Sequence, residues 1–187
     1  MAVKVFKPNT PGQRGMTSQD FDEITTKKPV KSLVSIRKGA VGRNNQGRIT
    51  TRHRGGGVRR YYRHINFNLP VGTTATVEEI EYDPNRSARI ARLKDQSGTY
   101  HYIIAAQGLK KGDTVTSDAE ASIATANRLP LKNIPTGSTM YAIELQPGRG
   151  AQLVRSAGNG AQLLAKEGEY AQVKLPSGEV RKVHINC

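Results

Sequence analysis

The stretch AQLLAKEGEYAQVKLPSGEVRKVHI at residues 161–185 decides the fold class. Its runs at 161–166, 169–175 and 179–185 are rich in Val, Leu, Ile and Tyr, and Glu167-Gly168 and Pro176-Ser177-Gly178 separate them. β-branched and aromatic residues suit a pleated, half-buried surface, while Gly and Pro-Ser-Gly supply tight reversals. The pattern predicts three short strands joined by turns. Working outward, similar runs occur at 75–82 (ATVEEIEY), 87–93 (SARIARL), 99–105 (TYHYIIA) and 138–145 (STMYAIEL). Turn chemistry punctuates them at Asp83-Pro84-Asn85, Asp95-Gln96-Ser97-Gly98, Lys111-Gly112-Asp113 and Pro147-Gly148. Strands this short and tightly joined predict an all-β chain of small barrels. Residues 117–127 (SDAEASIATAN) read as a helix, with Ser and Asp ahead of an Ala/Glu-rich stretch that lacks a clear apolar face.

The chain has 187 residues, and at about 150 residues per domain this means one domain or two small ones. A break falls at 127–137 (NRLPLKNIPTG), where two Pro, two Asn and a Gly separate strand groups. The expected division is a basic arm (1–64), a first barrel (65–127) and a second barrel (128–187). Trp is absent and aromatics are 5% of the chain, so the cores must be built from Val, Ile, Leu and Ala. Small aliphatic cores of this kind are only marginally stable. Cys187 is the single cysteine, which excludes an intrachain disulfide or a Cys-based metal site in this sequence. No apolar run approaches the roughly 18 residues of a membrane span, and the N-terminus lacks a secretory apolar stretch, so a soluble intracellular protein is expected.

Charge is distributed unevenly. The net charge is +14, yet residues 1–64 hold 15 Lys/Arg against 3 acids, while 65–187 hold 14 against 12. Between Glu23 and Glu78 there is no acid and there are 12 basic residues. Such a block repels itself and calls for a polyanion. A solvated, disordered tail is the plainer reading, and three features count against it. From Arg37 to His64 there are eight Arg and one Lys, and forked guanidinium groups suit phosphate contacts and base stacking better than simple solvation. Glycines at 39, 42, 47 and 55–57 let the backbone turn sharply or press close to a ligand. Tyr61, Tyr62 and His64 interleave with Arg59, Arg60 and Arg63, as stacking on unpaired bases requires. A membrane surface, the rival polyanion, would need a wide apolar helical face, and 37–64 offers only scattered Val41, Ile49 and Val58. The arm is expected to lack order of its own away from RNA.

Catalytic and metal signatures are weak. Gly42-Arg-Asn-Asn-Gln-Gly47-Arg48-Ile49 has the glycine spacing of a phosphate loop, but Arg48 and Ile49 stand where the lysine and the magnesium-binding hydroxyl belong, and no apolar strand precedes it. His53, His64, His101 and His184 are dispersed without metal-ligand spacing. His53 and His64 read as RNA contacts or solvated groups, and His101 and His184 as hydrogen-bonded strand residues. Glu78, Glu79, Glu81 and Asp83 form the main acidic cluster, and paired carboxylates can do acid–base work; alternation puts Glu79, Glu81 and Asp83 on one strand face, which is expected to be exposed because no pocket-forming aromatic or glycine-rich loop accompanies them. Arg86 and Arg155 stand apart because each occupies a turn among small neighbours, with room either to reach a phosphate or to form a surface ion pair.

The motifs GRNNQGRITTRHRGGG (42–57), EYDPNRSA (81–88), NIPTGS (133–138) and LVRSAG (153–158) together resemble the universal "L-two" family of the large ribosomal subunit, in that family's order. The start VFKPNTPG (5–12) is similar to its bacterial or organellar branch. The resemblance implies an OB-fold-type barrel followed by an SH3-like barrel with a long irregular basic N-terminal extension, and a non-enzymatic structural role in translation. It implies 23S-type rRNA and other large-subunit proteins as partners, nearness to tRNA and to inter-subunit contacts, and no membrane or homo-oligomer. It places the protein on a cytoplasmic, bacterial-type or organellar ribosome, and implies support of subunit assembly and of RNA around the peptidyl-transferase region. It assigns RNA binding to Arg86 and Arg155. The arm reading adds Arg43, Arg48, Arg52, His53, Arg54, Arg59, Arg60, Tyr61 and Arg63, and Arg149 joins them from the loop before Arg155. No cofactor is expected beyond Mg2+ held through rRNA. The family's pattern continues through a second basic, glycine-rich extension with a histidine in a Pro-His-Gly-Gly-Gly context; that segment is not among these 187 residues, so a part in peptide-bond formation falls on none of them. The alternative from another class is a non-ribosomal RNA chaperone or translation factor built on similar barrels.

Overall fold

The computed structural model describes residues 3–36, 41–55 and 57–187. Arg37, Lys38, Gly39 and Gly56 of the basic stretch lie outside them. The strands are β1 (Val3–Val5), β2 (Thr17–Gln19), β3 (Val34–Ile36), β4 (Tyr61–Arg63), β5 (Thr73–Glu81), β6 (Ile90–Asp95), β7 (Tyr100–Ile104), β8 (Thr114–Ser117), β9 (Thr139–Met140), β10 (Ala161–Glu167), β11 (Tyr170–Lys174) and β12 (Val180–His184). They form two four-stranded sheets, ordered β7-β6-β5-β8 and β12-β11-β10-β9, and two small pairs, β1-β2 and β3-β4. Every paired strand runs antiparallel to its neighbour. The architecture is an OB-fold followed by an SH3-like barrel.

Each sheet turns one row of small aliphatic side chains inward. The first core gathers Leu69, Ala75, Val77, Ile80, Ala91, Leu93, Leu109 and Val115. The second gathers Leu131, Ile143, Ala161, Leu163, Ala171, Val173 and Val183. At roughly 1.5–3 kcal/mol for each fully buried Val, Leu or Ile side chain, these rows supply the main stabilisation of their barrels. The register of β5 against β6 shifts between Val77 and Glu79. That bulge inserts one residue, so Val77 and Ile80, rather than Val77 and Glu79, face the core.

The structure corrects the reading of the acidic cluster. Glu81 and Asp83 are buried, at 2% and 0% exposure. The cover over Glu81 is the basic arm itself, and Asp83 lies beneath Arg86. Thr26 bridges to Glu81, the Thr25 amide donates to the Ile80 carbonyl (3.0 Å), and the Val30 amide donates to the Tyr102 hydroxyl (2.9 Å). Tyr102 in turn donates to Glu81 (2.9 Å), and Arg92 bridges Glu81 (3.2 Å) and Glu78 (2.8 Å). Burial pushes the Glu81 carboxyl above its ordinary value against the opposing pull of Tyr102 and Arg92, and pushes Tyr102 up to about 12. A carboxyl whose folded pKa is raised holds its proton better folded than unfolded, so stability falls as pH rises from the unfolded value of 4.5. Glu81→Gln is expected to flatten that fall, measured as unfolding free energy across the carboxylate range; parallel curves for the two proteins would contradict the assignment.

Other expectations change locally. No α-helix forms at 117–127. Asn127 accepts from the Thr116 amide and donates to the Ser122 carbonyl, and Asp118 accepts from the Ala119 amide. Short polar side chains thus capture backbone groups that a helix would have used. The run at 138–145 contributes only Thr139–Met140 to a strand, because Ala142 turns to φ +53° and Ile143 pairs with Leu153 instead. The run at 87–93 starts its strand only at Ile90. β8 was not anticipated. Among its described residues the arm is irregular apart from β1–β4 and single 3-10 turns at Pro11–Gln13 and Lys31–Leu33, but it is anchored: Arg89, 8% exposed, lies between the rings of Phe21 (5.1 Å) and Tyr82 (5.6 Å) and donates to Gln19 (3.1 Å).

Candidate RNA interface

The site is built around Phe67, in the crossing between β4 and β5. Its carbonyl accepts from the Ala151 amide (2.9 Å), which seats the loop 148–155 of the second barrel against it. Gly150 has φ +79°, and a Cβ there would stand 3.0 Å from that same carbonyl, so this close approach requires glycine. The result is a convergence of two barrels on one ring: Arg86 from the β5–β6 turn lies 6.0 Å from the Phe67 centroid and Arg155 lies 4.9 Å from it. Two cations over one aromatic quadrupole gain enough attraction to offset part of their mutual repulsion.

Arg86 is oriented from one edge. Its Nε donates to Asp83 Oδ2 at 2.6 Å, and the carboxylate is fully buried beneath it. The ion pair that the sequence left open therefore exists, and it uses Nε; among the described residues the Nη groups make no hydrogen bond. Arg155 and Arg149 are both exposed.

In the arm, residues 42–51 close as a small hairpin rather than a phosphate loop. Asn44 accepts from the amides of Gln46 (3.0 Å) and Arg48 (2.9 Å), and the Gly42 carbonyl takes the amides of Thr50 (2.9 Å) and Thr51 (3.1 Å). The hairpin presents Arg43 and Arg48, and Arg52, His53, Arg54, Arg59 and Arg60 follow it, all exposed. Gly42 has φ +70°, and a Cβ would stand against the Thr51 carbonyl. Gly42→Ala is expected to open the hairpin and lower RNA affinity severalfold with little change in the melting temperature, since the hairpin touches neither core; a change in melting with unaltered affinity would refute this.

Arg59 stacks over Tyr61 (5.3 Å), and Tyr62 meets His64 edge-on (5.4 Å). Arg63 departs from the expected surface role. It is 9% exposed and donates from Nη1 to the Tyr61 carbonyl (3.0 Å), so it braces β4 from within rather than facing outward. His184 accepts from the Asn186 amide (3.2 Å), the hydrogen-bonded strand role expected of it, while His101 lies 3.5 Å from Asp95 across the end of its strand pair. The residues missed in the sequence are Phe67, Asp83 and Asn85. Phe67 carried a faint signal, as an aromatic between Asn66 and Asn68 in an otherwise polar connection.

An OB-fold and an SH3-like barrel bearing arginines on a shared aromatic ring, with a basic arm alongside that carries no acid after Glu23, fit a nucleic-acid-binding protein. Residues 30–117 match the model of the ribosomal proteins L2 RNA-binding N-terminal domain, and residues 124–187 that of the ribosomal proteins L2 C-terminal domain. The chain belongs to the ribosomal protein L2 family. It is thus a large-subunit ribosomal protein that binds rRNA, of a family whose role is structural.

Proposed function

We propose that the chain docks on 23S-type rRNA through Arg86 and Arg155, while the hairpin at 42–51, Arg149 and the Arg59–Tyr61 stack neutralise and brace the RNA packed around it. The observation that supports this reading is the convergence of the two arginines, one from each barrel, on Phe67. Two guanidinium groups held on one rigid ring present their donors at a fixed spacing, which suits successive or facing backbone phosphates. The protein would in this way help to assemble the large subunit and hold RNA near the peptidyl-transferase region, beside other large-subunit proteins. The start VFKPNTPG (5–12) favours a bacterial or organellar ribosome. Hydroxyl-radical footprinting of reconstituted large subunits tests the docking. Protection of rRNA backbone that disappears with Arg155→Ala supports it, and an unchanged footprint overturns it.

A further inference from the structure

We propose that Asn85 is a positioning residue for the RNA interface: its side-chain amide fastens the Tyr61 strand of the arm to the Arg86 turn, so that both present one rigid array to RNA. The inference rests on the reading of Arg86 as an RNA contact. Asn85 Nδ2 donates to the Tyr61 carbonyl (2.7 Å) and to Asp83 Oδ1 (3.1 Å), and its backbone amide donates to the same Oδ1 (2.9 Å). Asp83 Oδ2 holds Arg86 Nε at 2.6 Å. One buried carboxylate and one amide therefore join three parts of the chain: the turn, the guanidinium that projects from it, and β4, which is 24 residues away in sequence.

The orientation of the amide has one good solution. Turned as it is, the NH2 group serves two acceptors, while Oδ1 is buried and meets no donor among the described residues. Turned over, Oδ1 would face a carbonyl and a carboxylate, two acceptors with no proton to share. A buried oxygen left without a partner is a cost that the fold carries to keep both donations. Tyr61 also takes Arg63 Nη1 on its carbonyl and Arg59 on its ring, so the backbone that Asn85 holds is the one from which the Arg59 stack projects. Without Asn85 the arm strand would keep its pairing with β3, through Ile36 and Tyr61, but would lose this direct tie to the turn that carries Arg86.

The test is equilibrium binding to an in vitro transcript of large-subunit rRNA, over a salt series, for the full chain and for Asn85→Ala, Asn85→Asp, Arg59→Ala and the double variants that combine Arg59→Ala with each Asn85 change. Asn85→Ala is expected to lower affinity about fivefold and to reduce the salt slope, because phosphate contacts made by the arm fall out of register. Asn85→Asp is expected to lose more than alanine, since its carboxylate would face Tyr61 O and Asp83. The loss caused by Arg59→Ala should shrink in either Asn85 background, a non-additivity that reports the coupling. Thermal melting of each variant separates this from unfolding, and a salt slope lowered at wild-type stability is not a purely structural effect. Wild-type affinity and slope in both Asn85 variants, or losses that simply add to that of Arg59→Ala, overturn the proposal while leaving RNA binding by Arg86 standing. Wild-type affinity in Arg86→Ala and Arg155→Ala overturns the underlying reading instead.

Discussion

Replacing Arg86 and Arg155 together by alanine is expected to weaken binding to a large-subunit rRNA transcript by roughly a hundredfold or more and to lower the salt slope by about two. A hydrogen bond to a charged group contributes about 1.5–3 kcal/mol, so each arginine on a phosphate accounts for about one to two powers of ten. The two losses should combine less than additively, because both guanidinium groups lie against Phe67 and each helps to fix the ring for the other. Arg155→Ala is the cleaner single test, because Arg155 is exposed. Arg86→Ala also leaves the buried Asp83 carboxylate with only its Asn85 donors, so part of its effect is a loss of stability. Phe67→Leu changes no charge, and it should still lower affinity severalfold by releasing both side chains. Arg181→Ala is the control: that exposed residue pairs with Glu179 on the second barrel, away from the ring. Affinities of the double variant and the wild type that agree at matched salt would sink the docking assignment.

The strands at 161–167, 170–174 and 180–184 were legible in the sequence because alternation and turn chemistry agree there: Ala161, Leu163, Ala171, Val173 and Val183 face inward, and Gly168 and Gly178 make the reversals with φ +55° and +90°. β8 was not, since Thr-Val-Thr-Ser puts only Val115 into the core and its strand character comes from pairing with β5. The basic character of the interface was readable from charge alone, because an acid-free run of arginines is a property of composition. Burial of Glu81 was not readable, since its cover is a segment 55 residues away in contact through Thr25 and Ile80. Likewise, the alternation rule puts Glu79 with Glu81, but only the structure shows that Glu79 meets Lys111 (2.7 Å), which holds its carboxyl below the ordinary value, while its neighbour is covered by the arm. Arg86 and Arg155 could be singled out one by one, yet their meeting on Phe67 depends on three segments that no local pattern relates.

The same loop that carries Phe67 is held by a clasp between the barrels, and breaking it is expected to cost about 3 kcal/mol. Glu144, 7% exposed, accepts from Arg128 (2.5 Å) and from the amides of Gly150 (2.9 Å) and Gly148 (3.3 Å). Arg128 pairs in the backbone with Ser117 at the edge of the first sheet, and its guanidinium also reaches the carbonyls of Phe67 (3.3 Å) and Leu69 (3.4 Å) and the side chain of Asn68 (3.0 Å). Removing one partner of a buried pair typically costs about 3–5 kcal/mol; the lower end applies here because the Arg128 side chain keeps 32% of its surface in water and each partner keeps other hydrogen bonds. For a chain of this size that loss lowers the melting temperature by roughly 6–12 °C. Arg128→Ala and Glu144→Ala should be similarly destabilised, and the pair of substitutions together should cost less than their sum. Arg128→Lys should recover little, because a single ammonium cannot span Glu144 and three oxygens of the 67–69 segment as a planar fork does. The two variants should differ in RNA binding below their melting points. Arg128→Ala frees the Phe67 segment directly and should weaken binding, whereas Glu144→Ala leaves the three Arg128 contacts to that segment in place and should weaken it less. Equal affinities for the two variants would show that the clasp joins the barrels without setting the arginines, and melting of Arg128→Ala within about 2 °C of wild type would show that it does not join them at all.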